Sequence, residues 1–121
     1  MKKTNEKEIK MFNHEKLRCY GMALDVAKSA PALTTSWPTG THYLVDQLQR
    51  AVASIVLNIA EGNAKRSLKD RARFFAIARA SAAESAACID VASSLRLIGD
   101  GDAFYFKDRL LQIVKMLYKL K

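Results

Sequence analysis

Apolar positions recur along most of this chain at the three- and four-residue spacings of an α-helix, and they predict four helices. Between Asn13 and Ser29, Leu17, Tyr20, Leu24 and Ala27 form one row, and Cys19, Met22, Val26 and Ala30 form an adjoining one. Asn13 is the expected N-cap. Pro31 disfavours helical geometry at Ala30, so it is expected to end or kink this helix. The connection 32–41 carries the single tryptophan, Trp37, ahead of the turn formers Pro38 and Gly40. Trp37 is expected to plug the end of the bundle with its indole N–H bonded, an exposed binding role being the alternative. Thr39 or Thr41 can cap a central helix, which Gly62 is expected to end from a left-handed C′ position.

After a tight basic turn, Ser67 with Asp70 three residues on reads as a capping-box variant. The third helix is expected to run from there to about Ile98. It has two apolar faces, Leu68, Phe75, Ala82, Ala86 and Ile89 on one, and Phe74, Ile77, Cys88, Ala92 and Leu95 on the other, the second interrupted by Ser81. Gly99 to Asp102 breaks the chain, and Asp102 is the expected N-cap of a last helix burying Phe106, Leu110, Ile113, Leu117 and Leu120. No segment alternates with period two, so no strand is expected. Short connections between four helices predict an all-α, antiparallel up-down four-helix bundle over residues 13–121, behind a flexible tail over 1–12.

The central helix departs from the usual surface pattern. Gln47, Arg50, Ser54, Asn58 and Glu61 fall within an arc of about 80°. From Ala51 to Ala60 everything outside that arc is Ala, Val, Ile or Leu. A surface helix is normally an apolar stripe on a polar cylinder. This helix has the reverse pattern and is expected to be buried on most sides. Buried polar groups are normally paired, so the seam should bond to itself, to a neighbouring helix or to a second subunit. A register-fixing network is the favoured reading; a subunit interface and a ligand site are the alternatives. A four-helix monomer covers only one broad face of each helix. The surplus apolar surface of the second and third helices therefore implies a homo-oligomer.

Composition narrows the class. Half of the 121 residues are hydrophobic, with five Gly and two Pro, which excludes a disordered or loop-rich chain. The N-terminal MKKTNEKEIK is too charged for a signal peptide, and the longest apolar run is too short and polar to span a bilayer, so a cytoplasmic protein without membrane contact is expected. Cys19 and Cys88 stand alone and read as reduced core thiols. Net charge is +8, and residues 65–79 alone carry six cations against one anion. Arg66, Lys69 and Arg73 share one face of the third helix. Such a patch suits nucleic acid, anionic lipid or an acidic protein without choosing among them.

Enzymatic signatures are missing. A di-iron bundle needs paired ExxH motifs, and neither His14 nor His42 follows a Glu at that spacing. No phosphate-binding glycine loop or zinc-protease string occurs. Glu61 and Glu84 could form a carboxylate pair, but ion pairs with Arg50 and Arg79 are the simpler expectation. Neither enzymatic activity nor a cofactor is expected.

Gln47, Arg50-Ala51, Ser54-Ile55 and above all Asn58-Ile59-Ala60-Glu61-Gly62, followed by Ser67, Phe74-Phe75, Ala78-Arg79, Ser81 and Glu84, give the chain a family resemblance. Trp37-Pro38 adds an aromatic–proline pair. Over about residues 15–120 the sequence resembles the four-helix bundle proteins, also called rRNA intervening-sequence proteins. It departs from them at Gln49 (one of a common Arg pair), Val56 (often Pro) and Ala80 (usually Gly). The resemblance implies a small bacterial cytoplasmic protein that assembles into a ring, typically a pentamer. Some members are encoded within insertions in large-subunit rRNA genes. Relatives are accessory proteins of diversity-generating retroelements, whose basic barrel contacts a reverse transcriptase and nucleic acid.

Two functions follow as expectations. One is a nucleic-acid-binding accessory module, meeting phosphates with Lys65, Arg66, Lys69 and Arg73 and with helix N-terminal amides near Ser67. The other is a structural scaffold whose basic rim meets an acidic protein partner. Few aromatic residues interleave with the cations, which argues against a reader that stacks single-stranded bases.

Overall fold

The computed structural model describes residues 12–120. A 3-10 turn over Asn13–Lys16 precedes four α-helices: α1 (Arg18–Thr34), α2 (His42–Ala64), α3 (Leu68–Ser94) and α4 (Asp100–Lys119). Among the described residues there is no strand, as expected. The tail expected over 1–12 falls outside them apart from Phe12, as does Lys121.

Each helix lies against two others. α2 packs on α1 and α3, and α4 packs on the same two, closing a four-sided core. Along the α2–α3 seam Gln47 meets Glu84, Ser54 meets Ser81 and Gly62 meets Phe75. Residue numbers thus rise on one helix as they fall on the other. Leu48, Ile55, Ile59, Phe75, Ile89, Leu110, Ile113 and Leu117 are fully buried. Each contributes about 1.5–3 kcal/mol by leaving water. Among the buried residues of α3 are Ala78, Ala82 and Ala92, which let its neighbours approach closely.

Several boundaries differ from expectation. Asn13 opens the 3-10 turn instead of capping α1, because Leu17 is extended (φ −80°, ψ 130°) and packs against the core. On α1 the row Cys19, Val26 and Ala30 is buried, together with Ala23, whereas Leu24 is exposed. Pro31 does not end the helix. It lies in the last turn, and the Thr34 and Thr35 hydroxyls both donate to its carbonyl. Trp37 is buried at the end of the core as expected, but its indole N–H lacks the expected acceptor among the described residues. Thr41 stands at the α2 N-cap, yet its hydroxyl donates to the Pro38 carbonyl instead of accepting from the helix.

Gly62 is helical, and α2 continues two residues past it. Its missing side chain serves packing, since a Cβ there would lie 2.7 Å from a ring carbon of Phe75. α3 ends at Ser94, short of Ile98, because Arg96 takes a left-handed conformation (φ 58°). The N–H of Leu97 reaches the Ala92 carbonyl and that of Arg96 the Ser93 carbonyl, satisfying the last turn. α4 then starts at Asp100 behind Gly99, so Asp102 lies inside the first turn, where its charge still suits the helix dipole. Leu120, expected in the core, is partly buried against it.

Within one chain the central helix packs against α1, α3 and the 3-10 turn, and over residues 51–60 only Ala53 and Leu57 are exposed. Its outward face exposes Ala53 and Leu57, the latter by 64%. On α3, Leu68, Ile77 and Val91 are exposed, as is Leu95 just past its end, and on α4, Phe104, Leu111 and Tyr118. None of the described helices is long and apolar enough to cross a membrane.

Candidate nucleic-acid interface

The basic cluster sits where α2 gives way to α3, and three devices fix that connection. Lys65 leaves the helix in an extended conformation, with its N–H on the Gly62 carbonyl at 3.2 Å. Ser67 caps α3, its Oγ accepting from the Asp70 N–H at 3.0 Å, as the sequence predicts. Arg71, half-buried, turns back over the connection. Its guanidinium donates to the Asn63 carbonyl at 2.9 Å, more weakly to those of Lys65 (3.4 Å) and Gly62 (3.5 Å), and to Asn63 Oδ1 at 3.4 Å. It also lies 5.4 Å from the centre of the Phe75 ring. Carbonyls at a helix C-terminus carry partial negative charge, which a buried-side cation offsets.

The remaining cations face outward. Arg66 and Lys69 are exposed and have no ion-pair or hydrogen-bond partner among the described residues. Lys65 is shared between Glu61, at 3.4 Å, and the Phe74 ring, 5.2 Å to its centre. Arg73 likewise divides between Asp70, at 3.7 Å, and the same ring, at 4.7 Å. Both carboxylate pairs are substantially solvated and hold their cations weakly. Further along α3, Arg79 stacks 4.2 Å from the centre of the Tyr118 ring. Leu120 borders the same depression as Leu68, Ala72 and Phe75, so the Lys115 and Lys119 end of α4 adjoins the basic connection.

All five expected site residues, Lys65, Arg66, Ser67, Lys69 and Arg73, therefore lie within one stretch at one end of the molecule. Sequence reasoning overlooked Arg71 and the aromatic partner Phe74. A signal for Arg71 existed: it stands four residues after the cap, and helical side chains lean back over the preceding turn.

The polar seam is a separate feature. Ser54 and Ser81 share a 2.7 Å hydrogen bond, and the Asn58 amide donates to the Ser54 carbonyl at 2.8 Å and to its hydroxyl at 3.0 Å. Gln47 donates to Glu84. Gln47 and Ser54 thus tie α2 to α3, while Asn58 bonds within α2 and Ser85 extends the network by donating to the Ser81 carbonyl. Gln47, Arg50 and Glu61 of the seam expected to be buried are exposed. The expected Arg50 and Arg79 ion pairs do not form: Glu61 takes Lys65, Arg79 takes Tyr118, and Arg50 is exposed without a partner among the described residues. Burial pushes the Cys19 and Cys88 thiols up from their ordinary range, with Glu84 adding to the effect at Cys88. Among the described residues no group of three or more His, Cys, Asp or Glu side chains could hold a metal ion.

Comparison with known proteins agrees with this architecture. The family model described as 23S rRNA-intervening sequence protein matches residues 15–119. The chain is also similar to the crystal structure of a protein of unknown function from the S23 ribosomal protein family of Bacteroides thetaiotaomicron. The TM-score is 0.75 at 20% sequence identity, over 83% of this chain and 91% of that one. Among curated proteins no match is found.

Proposed function

This chain belongs to the 23S rRNA-intervening sequence protein family, and from that premise we propose that it is a non-enzymatic accessory factor that binds the phosphate backbone of nucleic acid. The observation that carries this reading is the pair Arg66 and Lys69, exposed beside the capped start of α3 and without a partner among the described residues. Lys65 and Arg73 flank them, each shared between the Phe74 ring and a solvated carboxylate that a phosphate can displace. The Phe74 ring has these two cations over it, which favours contact with phosphates over stacking of bases.

The bundle is read as antiparallel and up-down, which the pairing of residues along α2 and α3 supports. It is further read as a ring-like homo-oligomer, with a pentamer favoured by the resemblance. Exposed Leu57, Ile77, Val91, Phe104 and Leu111 support assembly, because a monomer gains nothing from presenting them to water. In such a ring each subunit repeats the basic connection around a rim or lumen. The ring would act in the cytoplasm, on rRNA or other RNA or DNA, alongside a reverse transcriptase or the ribosome.

The test is a salt titration of RNA and duplex DNA binding. Neutralising about six phosphates gives a log–log slope near −5 on duplex DNA, by the −0.9 per phosphate rule. The Arg66→Ala/Lys69→Ala variant should flatten the slope and weaken all sequences alike, while folding survives. Equal, weak binding by wild type and variant would leave the scaffold with an acidic protein partner as the function. A sedimenting species of 13.5 kDa alone would remove the ring.

A further inference from the structure

Resting on the phosphate-binding reading, we propose that Arg71 is a positioning residue: it sets the conformation of the 65–67 connection from which Lys65 and Arg66 meet phosphate, and does not itself touch nucleic acid. Among the described cations of residues 65–79 it alone gives its head group to backbone carbonyls. Those carbonyls belong to Gly62, Asn63 and Lys65, and so bracket the point where the chain leaves α2. The Asn63 side chain accepts from the same guanidinium, and the Phe75 ring lies 5.4 Å from it. A guanidinium presents donors in a fixed, planar fork, which is what bridging several acceptors requires; an ammonium is a compact point charge on a flexible stem.

This arrangement separates Arg71 from its neighbours by chemistry. Arg66 and Lys69 act through charge alone, so Lys and Arg are interchangeable there. Arg71 acts through geometry, so Arg71→Lys, which preserves net charge and long-range attraction, still removes its function. With the connection loosened, Lys65 and Arg66 are no longer held where they meet phosphate, and one or both contacts are lost.

The experiment compares wild type, Arg71→Lys and Arg96→Lys in salt titrations against a duplex DNA of mixed sequence, with amide hydrogen exchange read across residues 62–68. Arg71→Lys is expected to keep the helical circular dichroism, to exchange faster at the connection and to bind about tenfold more weakly. Its salt slope should be shallower by about one to two units, as one to two phosphate contacts are lost. Arg96→Lys, the same exchange made beyond the far end of α3, should match wild type in all three. Unchanged exchange and an unchanged slope in Arg71→Lys overturn the inference. So does faster exchange with unchanged slope and affinity, since Arg71 would then hold the fold without serving the contact. Weak, salt-insensitive binding by wild type itself overturns the underlying phosphate reading, and is told apart by the wild-type curve alone.

Discussion

The two connections at either end of α3 solve the same problem by different means. At residues 65–67 side chains hold the backbone: Ser67 caps the incoming helix, Arg71 gathers the outgoing carbonyls, and Gly62 lets the Phe75 ring lie against α2. At residues 95–99 the backbone holds itself. Arg96 adopts a left-handed conformation, two main-chain bonds close the last turn, and Gly99 precedes α4 with no side-chain cap. Beside this second connection is an open cavity of about 620 Å³, lined by Ser93, Ser94, Arg96, Leu97, Ile98, Gly99 and Asp100. The first connection is the one that concentrates positive charge. Preorganisation by side chains thus coincides with the surface on which the cations are gathered.

The largest effects that sharpen this contrast are expected at Gly62 and Phe75. Phe75→Ala should cost about 3–5 kcal/mol, as for other fully buried aromatics. Gly62→Ala gains helix propensity, but its Cβ would meet a buried ring at 2.7 Å, so a net loss of about 1–3 kcal/mol is expected in urea titration. In the Phe75→Ala background the same change should cost much less, the Phe74 Cβ at 3.1 Å being the tight contact that remains, a coupling that a double-mutant cycle reads directly. Just past the other connection, in the first turn of α4, Gly101 has nothing within 4 Å of an added Cβ, and Gly101→Ala should gain about 0.5–1 kcal/mol. Equal responses at Gly62 and Gly101 would erase the distinction between the two connections.

Much of this molecule was legible in the sequence, and what was not has physical causes. The four helices followed from periodicity, and the Ser67 cap from a local motif whose partners lie three residues apart. Gly62 was misjudged because a glycine near a helix end is consistent both with a left-handed turn and with close approach. Only the tertiary position of Phe75, thirteen residues on, decides between them. The end of α3 was misjudged for the complementary reason: Arg96 has no intrinsic preference for a left-handed conformation, which the packing of Ile98 into the core accompanies. The basic cluster was legible as composition, but the division of labour within it was not. Nothing local separates Arg71 from Arg73, yet one reaches backbone carbonyls and the other an exposed carboxylate. Ion pairs across helices were the least legible, because Arg50 and Arg79 have the reach to serve several partners.

An effect of intermediate size is expected from the cap. Ser67→Ala should lower stability by about 1 kcal/mol, because the Asp70 N–H loses its acceptor at the start of α3. Thr41→Ala provides the comparison. Its hydroxyl donates to the Pro38 carbonyl and caps no helix amide, so its loss should be smaller. If thermal melts rank the two the other way, the basic connection owes its order to Arg71 and packing without the cap.

The smallest effect is expected at Arg96, and it separates the two ends most cleanly. A side chain in the left-handed region costs about 1–2 kcal/mol relative to right-handed geometry. Glycine removes that strain but adds about 0.5–1 kcal/mol of unfolded-chain entropy. Arg96 is exposed and has no partner among the described residues, so its side chain offers nothing to set against the exchange. Arg96→Gly should therefore raise stability by about 0.5 kcal/mol, roughly 2–4 °C in Tm at this chain length. Arg96→Ala keeps the strain and should not raise it. Both variants remove one cation, about 40 Å along α3 from the basic connection at 1.5 Å per residue. They should leave the salt slope of nucleic-acid binding unchanged, whereas Arg66→Ala should reduce it. A slope that falls equally for Arg96→Gly and Arg66→Ala would mean that binding responds to net charge alone and that the side-chain-built connection has no special part in it.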